Sequence, residues 1–535
     1  MKNIITKVWV LLFAFALLSC SESELDEFAP HILTAENLYS DVEGFQLGVN
    51  ALYANARMER YNLASPSSLT IQFALGGTDI IGGTYWTQDQ NAFGDRITPE
   101  HEEIRNLWGW LYSIINASNI VINRAETVSL DWSEVEKNQI IAEAKFFRAW
   151  AYRHLSFSFG DVPLSLNEID EIKTDWVRAP LAEVQAQIIS DLEFAAAHLT
   201  TVPNGNASSV TSWVAKHYLA EMHLTVGNSA SAETIALDVV DNSPFSLVTA
   251  RYGVTASEGG SPFTDMFING NRNRSEGNTE GMWNYQFEYD VIGGAASYNR
   301  RIFLMRYDKM GFAKTAERGG TGKGYLGATS YLFDLYRQNP GDDRFNEFAW
   351  RKSYTAQAGD NPTKRELSGL GYEVGDVIPL FDTAENLWFG NTRWSSTRKF
   401  EDYLEDNVGT SNGYNDYTAL RLANTYLLLA EAQFKNGNAA GAASTINVLR
   451  DRANTTNVVA AEIDVDFILD ERGRELFAES HRKYHLLRNN VWLSRTNDYN
   501  LFVEGRATSR DKMLPIPQSV IDANITSTME QNSGY

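Results

Sequence analysis

The side chains best suited to recognition chemistry in this chain are aromatic residues set among polar and glycine-rich segments. A sugar ring has an apolar face of C–H groups and a rim of hydroxyls. A tyrosine or tryptophan ring covers that face, while nearby amide, carboxylate or guanidinium groups bond the hydroxyls. Two stretches of the sequence offer this combination. They comprise Asp79, Tyr85, Trp86, Gln88, Gln90 and Asn91 in the first, and Tyr289, Asp290, Tyr298, Asn299, Arg300 and Tyr325 in the second.

Other aromatic residues indicate structure instead of binding. Trp283, Tyr285 and Phe287 alternate with other residues, which predicts the buried face of a β-strand. Four tryptophans recur in step with the apolar residues of helical segments, and we interpret them as structural. They are Trp108, Trp110, Trp150 and Trp213. Core packing is also the alternative explanation for each ring of the two polar stretches.

One histidine pair has the spacing of two metal ligands on a helix. His481 and His485 lie four residues apart, on one predicted helical face. A metalloprotease motif would need a glutamate directly after the first histidine, and Arg482 occupies that position. We therefore interpret the pair as two half-exposed histidines near a helix end, and the sequence predicts no metal site.

A glycine motif is equally incomplete. Gly322, Gly324 and Gly327 fit the pattern G-x-G-x-x-G of dinucleotide-binding proteins. No clear strand precedes the motif, and no acidic residue follows at the expected distance. We predict a mobile surface loop that displays Tyr325, and no cofactor.

The charged residues near the C-terminus do not indicate catalysis. Glu471, Arg474, Glu475 and Glu479 have the spacing of ion pairs within one helix, each worth a few tenths of a kcal/mol. A glycoside hydrolase would need two carboxylates about 5 Å or about 6.5–9.5 Å apart, and the sequence singles out no such pair. The sequence thus predicts a binding protein and not an enzyme.

Helical segments account for much of the chain. Apolar residues recur every three or four positions in residues 104–125, 134–159, 181–199, 209–226, 230–240, 418–454 and 467–490. In 421–453 two such runs, rich in small alanines, flank Gly437 and Asn438. A helical hairpin of about 34 residues is the unit of a tetratricopeptide-type solenoid.

These segments form two blocks of helical repeats, at about 104–242 and 418–490. Residues 60–100 and 243–415 are rich in turn-forming residues and contain short β-like runs. We predict a mostly α fold, in which a tetratricopeptide-like helical-repeat scaffold packs against a loop-rich region with a few short strands. Because no Pro- or Ser-rich linker divides it, residues 34–535 are predicted to form a single unit.

The N-terminus predicts export and lipid anchoring. Lys2 and Lys7 precede an apolar run of residues 8–18, too short for a membrane span of about 20 residues. Cys20 follows it in a bacterial lipobox-like context and is the chain's only cysteine. We predict a lipoprotein signal peptide at 1–19, acylation of Cys20, and an acidic tether at 20–33. A plain secretory signal with an incidental cysteine is the alternative.

The net charge limits the class of partner. The chain has a formal charge of −22, and loss of residues 1–19, with two lysines and no acids, makes it −24. Phosphate backbones bind clustered lysine and arginine, so nucleic acid is excluded as the expected partner. The charge also mildly favours a neutral ligand over an acidic one.

Four segments in this order, behind a lipobox, resemble the SusD/RagB family of outer-membrane nutrient-binding lipoproteins. The match covers most of the chain, and its segments are 142–164, 421–453, 468–488 and 514–524, with 531–535 resembling the closing residues. Segment 468–488 resembles the family's "ER-x-R-E-L … E-x-x-R" helix. Ser480 and His485 depart from the residues that the family often has there, which are Gly and Asp.

The resemblance implies a role at the cell surface. Members of this family capture a ligand, usually a glycan, and deliver it to a SusC-like TonB-dependent transporter in the outer membrane. Loops in similar family positions carry the ligand-stacking residues, so Trp86, Tyr289, Tyr298 and Tyr325 are the leading candidates. The acidic tether resembles the export signal of surface lipoproteins, and its alternative is a simple spacer on the periplasmic side.

Three other functions remain open at this point. A peptide-binding relative would have a larger, apolar pocket with fewer neighbouring aromatic rings. A surface glycosidase or esterase would turn over its substrate and would contain two carboxylates with separated pKa values. A scaffold for protein contacts would leave the loop aromatics without a shared pocket.

Overall fold

A computed structural model describes residues 35–61, 69–83, 93, 96–361, 373–380, 394–503 and 505–535. Helices dominate these residues and the strands are few and short, which confirms the predicted fold class. The predicted leader and tether, including Cys20, lie outside the described residues. No helix in the described ranges is long and apolar enough to span a membrane.

The α-helices are α1 Ala35–Leu38, α2 Val42–Ala56, α3 Gln72–Leu75, α4 Glu102–Thr127, α5 Glu134–Phe159, α6 Leu181–His198, α7 Ser212–Thr225, α8 Ser229–Asn242, α9 Pro262–Asp265, α10 Asn299–Phe303, α11 Ser330–Arg337, α12 Leu422–Lys435, α13 Ala439–Arg452, α14 Val465–Leu476, α15 Arg482–Arg488, α16 Trp492–Tyr499 and α17 Gln518–Ala523. The strands are β1 Ile81–Gly83, β2 Val162–Pro163, β3 Arg178–Ala179, β4 Gly281–Tyr285, β5 Leu326–Ala328, β6 Trp350–Arg351, β7 Ser353–Thr355, β8 Val377–Pro379, β9 Ser396–Thr397 and β10 Tyr417–Arg421.

The long helices stack as antiparallel neighbours. Consecutive helices from α4 to α8 pack on each other, and α12 packs on α7, α8, α13 and α14. The C-terminal hairpin therefore continues the stack of the N-terminal helices, as expected for repeats that cannot bury their apolar faces alone. Their interfaces contain small buried residues, such as Ala220, Ala236, Ala430 and Ala442, which allow close approach.

Local sequence signals set the helix boundaries. Helix α5 begins at a capping box, in which the Ser133 hydroxyl accepts from the Glu136 amide and the Glu136 carboxylate accepts from the Ser133 amide. The turn between α12 and α13 contains Gly437 with a φ of +81°, a conformation that glycine adopts without steric cost. Asn438 then caps α13 by accepting from the Gly441 amide.

The described strands form two-stranded antiparallel sheets, most of them in the loop-rich part. Strand β4 pairs with β10, which leads directly into α12, so this sheet joins the loop-rich part to the helical stack. Trp283, Tyr285 and Phe287 are buried as predicted, but only Trp283 and Tyr285 lie in β4, and Phe287 follows its end. Trp283 contacts Phe146 and Trp150 of α5 edge to face, so the sheet packs on the long helix.

The predicted helix over residues 467–490 is broken. Helix α14 ends at Leu476 and α15 begins at Arg482, with Ala478 at a φ of +63° between them. At this break several backbone carbonyls lose their helical hydrogen-bond partners. Cationic side chains donate to them instead. Lys399 Nζ donates to the carbonyls of Glu475 and Phe477 at 3.3 and 3.2 Å, and Arg60 donates to those of Ala478 and Glu479. Sequence periodicity could not reveal donors that come from residues 60 and 399.

The prediction of weak ion pairs along one helix was also wrong. Among the four predicted residues, only Glu471 and Arg474 form an ion pair along α14. The other ion-pair partners of these carboxylates come from distant elements of the described chain. Glu475 accepts from Arg344, Arg421 and Arg452, all fully or almost fully buried. Glu471 accepts from Arg344 and Arg450 as well. The helix carries an internal ionic network and not a solvated charged face.

Buried histidines should make the fold sensitive to acid. Burial lowers the pKa of His217 to about 3 and places the pKa of His154, His481 and His485 below the ordinary value. Below about pH 6.5 the unfolded chain binds more protons on these side chains than the folded chain does, so the free energy of unfolding decreases as the pH decreases. At pH 5, His217 alone accounts for about 2 kcal/mol.

Urea unfolding of the unmodified protein and of His217→Gln at pH 7 and pH 5 measures this effect. We expect the variant to lose about 2 kcal/mol less on acidification than the unmodified protein. His198→Gln, at an exposed position of α6, is the matched control and should keep the full pH dependence. An equal pH dependence in all three proteins would contradict the assignment.

Candidate functional site

The first predicted cluster is only partly described. Tyr85, Trp86, Gln88, Gln90 and Asn91 lie outside the described residues. Asp79 is described, and the prediction that it faces a ligand is wrong. Its side chain is fully buried, and its carboxylate accepts from Arg482 at 2.8 and 2.6 Å and from Arg495 at 2.8 Å. These two guanidinium groups lower the pKa of Asp79, which is a structural ion-pair partner.

Arg300 of the second cluster also has a structural role. It is 1% exposed, and its guanidinium donates to the backbone carbonyls of Asp402, Asn407, Thr410 and Asn412. Burial lowers its pKa. Because it bonds four carbonyls of one loop, Arg300 fixes the course of residues 402–412, and its burial keeps it from a ligand. The prediction of Arg300 as a ligand-binding residue is therefore corrected.

The next residue of α10 takes the place predicted for Arg300. The Arg301 guanidinium carbon lies 4.4 Å from the centroid of the Tyr298 ring, and this ring lies 4.2 Å from that of Tyr61 at an angle of 43°. The Tyr298 amide donates to the Arg60 carbonyl at 2.8 Å, which joins α10 to the 3₁₀ turn Arg57–Arg60 before Tyr61. Tyr61 and Arg301 are half-buried, so two aromatic rings and a cation share one partly exposed position.

A second aromatic pair lies beside the first. Tyr289 and Tyr414 meet edge to face with ring centroids 5.0 Å apart, and Tyr289 is 40% exposed. Ser297 and Gly413 exchange two backbone hydrogen bonds of 2.8 Å, which bring the residues after them, Tyr298 and Tyr414, onto neighbouring chain segments. The loop that carries Tyr289 is thereby held against the loop that Arg300 organises.

Tyr325 joins the same region through the backbone. Its amide donates to the Ile302 carbonyl at 2.8 Å, and the Lys323 amide donates to the Arg301 carbonyl at 2.9 Å. Strand β5 follows at Leu326, directly opposite Gly83 of β1. The described chain reaches Gly83, one residue before the segment that includes Tyr85 and Trp86, at the strand end beside Tyr325. Strand β1 therefore ends beside the segment that carries Tyr325.

The glycine motif is not a mobile surface loop. Gly322 and Gly324 are buried, and a Cβ atom on Gly322 would lie 2.0 Å from the Leu304 carbonyl oxygen. Glycine is needed here because the chain passes directly against α10 and the residue after it. The motif therefore positions Tyr325, which is half-buried and packs on the main hydrophobic core.

We call the residues Tyr61, Tyr289, Tyr298, Arg301, Tyr325 and Tyr414 the tyrosine site. Burial and a hydrogen bond with Tyr61 raise the pKa of Tyr298 to about 12, so its hydroxyl stays protonated at neutral pH. The site combines partly exposed ring faces with hydroxyl groups and one guanidinium. This arrangement suits a ligand with an apolar face and several hydrogen-bonding groups.

Three members of the tyrosine site escaped the prediction from sequence. Tyr61 follows a helix and Tyr414 lies in a turn-rich segment, so neither belongs to a residue pattern that would indicate a cluster. Arg301 lies beside the predicted Arg300, and the backbone bonds of Arg300 become visible only when the loop 402–412 is in place. A search for aromatics next to Gly, Asn and Ser would have found Tyr414.

One group of side chains in the described ranges has the geometry of a metal site. Glu59, His154 and His481 are all buried and bring three ligand atoms together. The His481 Nε2 already bonds Glu59 at 2.6 Å, and Arg60 lies 3.7 Å from the same carboxylate. Arg153 lies 3.2 Å from the other His481 nitrogen. Two guanidinium groups oppose a further cation here, so we interpret the group as a hydrogen-bonded network. His481 and His485 are buried and not half-exposed as predicted.

Comparisons with known families agree along the chain. The SusD family model matches residues 279–535, and a model described as starch-binding, associating with the outer membrane, matches residues 44–224. A SusD-like protein of Formosa agariphila is 23% identical over 100% of this chain and 99% of its own length. A SusD-like protein of Bacteroides ovatus is 26% identical over 60% of this chain and 59% of its own length.

Solved structures share the fold. A laminarin-binding SusD-like protein has a TM-score of 0.70 and 19% identity, covering 93% of this chain and 100% of the other. NanU of B. fragilis has a TM-score of 0.70 and 20% identity, covering 95% of this chain and 100% of the other. At these identities the likeness concerns the fold.

Proposed function

Because the chain belongs to the SusD/RagB family, we propose that it binds an oligosaccharide or polysaccharide and delivers it to a SusC-like TonB-dependent transporter in the outer membrane. The observation that carries the proposal is the tyrosine site, in which the ring pairs Tyr61–Tyr298 and Tyr289–Tyr414, together with Arg301, lie on segments joined by backbone hydrogen bonds. The laminarin-binding relative with the same fold supports a glycan as the ligand.

Binding would follow from simple complementarity. The exposed faces of Tyr289 and Tyr325 would cover the C–H face of sugar rings, while the Tyr298 hydroxyl and Arg301 would donate to sugar oxygens. Trp86 lies outside the described residues and stays in the proposal as a ligand contact predicted from the sequence. The ligand would leave intact, because capture and release need no bond to break.

Ligand screening with a turnover assay tests the proposal. The soluble chain from residue 21 would be titrated with plant, host and microbial glycans and with a peptide mixture, and each mixture would be analysed for products. We expect saturable binding of one glycan class without product. Formation of products would overturn the proposal in favour of an enzyme. Binding of peptides alone would overturn the assignment of a glycan as the ligand.

Anchoring at the outer membrane is proposed through acylation of Cys20. We expect the unmodified protein to fractionate with outer membranes and to be digested by protease added to whole cells. Cys20→Ser should shift it to the soluble fraction, because one cysteine provides the only lipid attachment in the proposal. Ser23→Ala, within the same tether, should leave the fractionation unchanged. Membrane association of Cys20→Ser equal to that of the control would refute the anchor.

A further inference from the structure

A cavity with a volume of about 440 Å³ lies outside the tyrosine site. This volume falls within the usual range of small-molecule sites. Its lining combines apolar surface, two aromatic rings, three carboxylates, one guanidinium group and an amide. We call it the acidic cavity, and the lining residues used below are Val254, Glu258, Asn269, Glu317, Phe348 and Tyr403.

The aromatic walls are held in place by neighbouring groups. The Phe348 ring lies against the backbone of Gly259, where a Cβ atom would be 2.2 Å from the ring. The Tyr403 hydroxyl donates to Glu401 at 2.6 Å and accepts from Arg398 at 3.1 Å. Both rings are half-buried and therefore present part of their surface to the cavity.

The charges of the lining are unbalanced. Arg398, the one cation among the described residues of the lining, is engaged by the Glu401 carboxylate and by the Glu347 carbonyl, each at 2.9 Å. Asp265 is engaged by Arg251 at 2.6 and 2.9 Å. Glu258 and Glu317 are exposed, and within the described part of the chain no cationic side chain forms an ion pair with either. The unbalanced charge of the cavity is negative.

The lining also contains an amide oxygen that accepts no hydrogen bond from the described residues. Asn269 Nδ2 donates to Asp402 at 3.3 Å, which leaves Oδ1 as the free end of the amide. This Oδ1 atom is buried and has no hydrogen-bond partner among the described residues. An unsatisfied buried acceptor indicates a missing donor. Two carboxylates, one amide oxygen and two aromatic faces thus favour a ligand that supplies donors and positive charge.

We propose that the acidic cavity is a second sugar subsite, one that prefers an amino sugar with a protonated amine, binds a neutral sugar less tightly and rejects a sugar acid. The proposal rests on the proposed glycan-binding function. The ammonium group would lie between the two carboxylates and the aromatic faces, and the sugar hydroxyls would donate to Asn269. The net charge of −22 acts in the same direction on a cationic ligand.

One loop connects the two subsites. Asp402 accepts from Asn269 of the acidic cavity, and its carbonyl accepts from Arg300 at 3.4 Å. Arg300 directly precedes Arg301 of the tyrosine site. The loop 402–412 therefore borders both sites.

Ligand-observed saturation-transfer NMR on the soluble chain from residue 21 tests the subsite with glucosamine, glucose and glucuronate at neutral pH. We expect affinity in that order, with glucuronate unbound. The double variant Glu258→Gln with Glu317→Gln should weaken glucosamine by about fivefold, because each exposed carboxylate contributes a modest ion-pair energy. It should change glucose by less than about twofold. Phe348→Ala should weaken both sugars.

Glu347→Gln is the matched control, because Glu347 is exposed beside Phe348 but does not line the cavity. Glucuronate binding as tight as glucosamine, or an unchanged affinity in the double variant, would overturn the subsite. If tyrosine-site variants lose glycan binding and glucosamine does not bind the unmodified protein, the amino-sugar subsite is overturned and the proposed function stands. Glucosamine binding without any glycan bound at the tyrosine site would overturn the proposed function alone.

Discussion

Tyr325→Ala and Tyr289→Ala should each weaken glycan binding by about tenfold, because an aromatic anchor at a binding surface contributes roughly 1–2 kcal/mol. Both rings are partly exposed, so their loss should leave the fold intact. Titration of each variant with the glycan found in the screen measures the change in Kd. Tyr426→Ala, at a half-buried position of α12, is the control and should retain full affinity.

Tyr298 needs a milder substitution because it is only 7% exposed in its contact with Tyr61 and Arg301. Tyr298→Phe keeps the ring and removes the hydroxyl, and we expect a loss of about three- to tenfold, as for one hydrogen bond to a ligand. Unchanged affinity in Tyr298→Phe, Tyr289→Ala and Tyr325→Ala together would exclude the tyrosine site as the glycan-binding surface.

Glu475→Gln should destabilise the fold by about 3–5 kcal/mol, because removing one partner of a buried ionic network leaves the others uncompensated. The Glu475 carboxylate accepts from Arg421 at 2.5 Å and from Arg344 at 3.0 Å, and it also bonds Arg452. These arginines hold the pKa of Glu475 far below its ordinary value in spite of burial. The three guanidinium groups come from β10, from α13 and from the turn after α11.

Chemical denaturation at pH 7 measures the free energy of unfolding of this variant. Glu183→Gln makes the same chemical change at an exposed position of α6, and it should change that free energy by less than about 0.5 kcal/mol. A Glu475→Gln protein as stable as the control would show that the network contributes nothing. If the variant fails to fold, Glu471→Gln provides a second test, since this carboxylate also bonds Arg344, Arg450 and Arg474.

The same network explains why the break between α14 and α15 is stable. Helix ends leave carbonyls without partners, and burial of such groups is costly unless donors reach them. Here the donors are Lys399, Arg60 and Tyr417, whose hydroxyl donates to the Glu479 carbonyl at 3.0 Å. A charged motif on one helix therefore organises segments that are several hundred residues apart in the chain.

The sequence by itself determined the long helices of the stack and the fold class. Apolar residues at intervals of three and four predict a buried helical face without any knowledge of the partner, because the interval follows from the helix geometry. Capping residues and the glycine at position 437 are equally local, so the start of α5 and the turn before α13 agree with prediction. The resemblance to the SusD/RagB family also rested on local motifs, and the family is confirmed.

Only the tertiary structure decided which polar residues face a ligand. Asp79 and Arg300 have side chains suited to binding sugars, yet both are buried and bonded to distant groups, namely Arg482 and Arg495 for Asp79 and the carbonyls of one loop for Arg300. Tyr61 meets Tyr298 although the two residues are far apart in the sequence. Hydrogen-bonding capacity is a property of the residue, whereas its availability depends on every segment that folds against it.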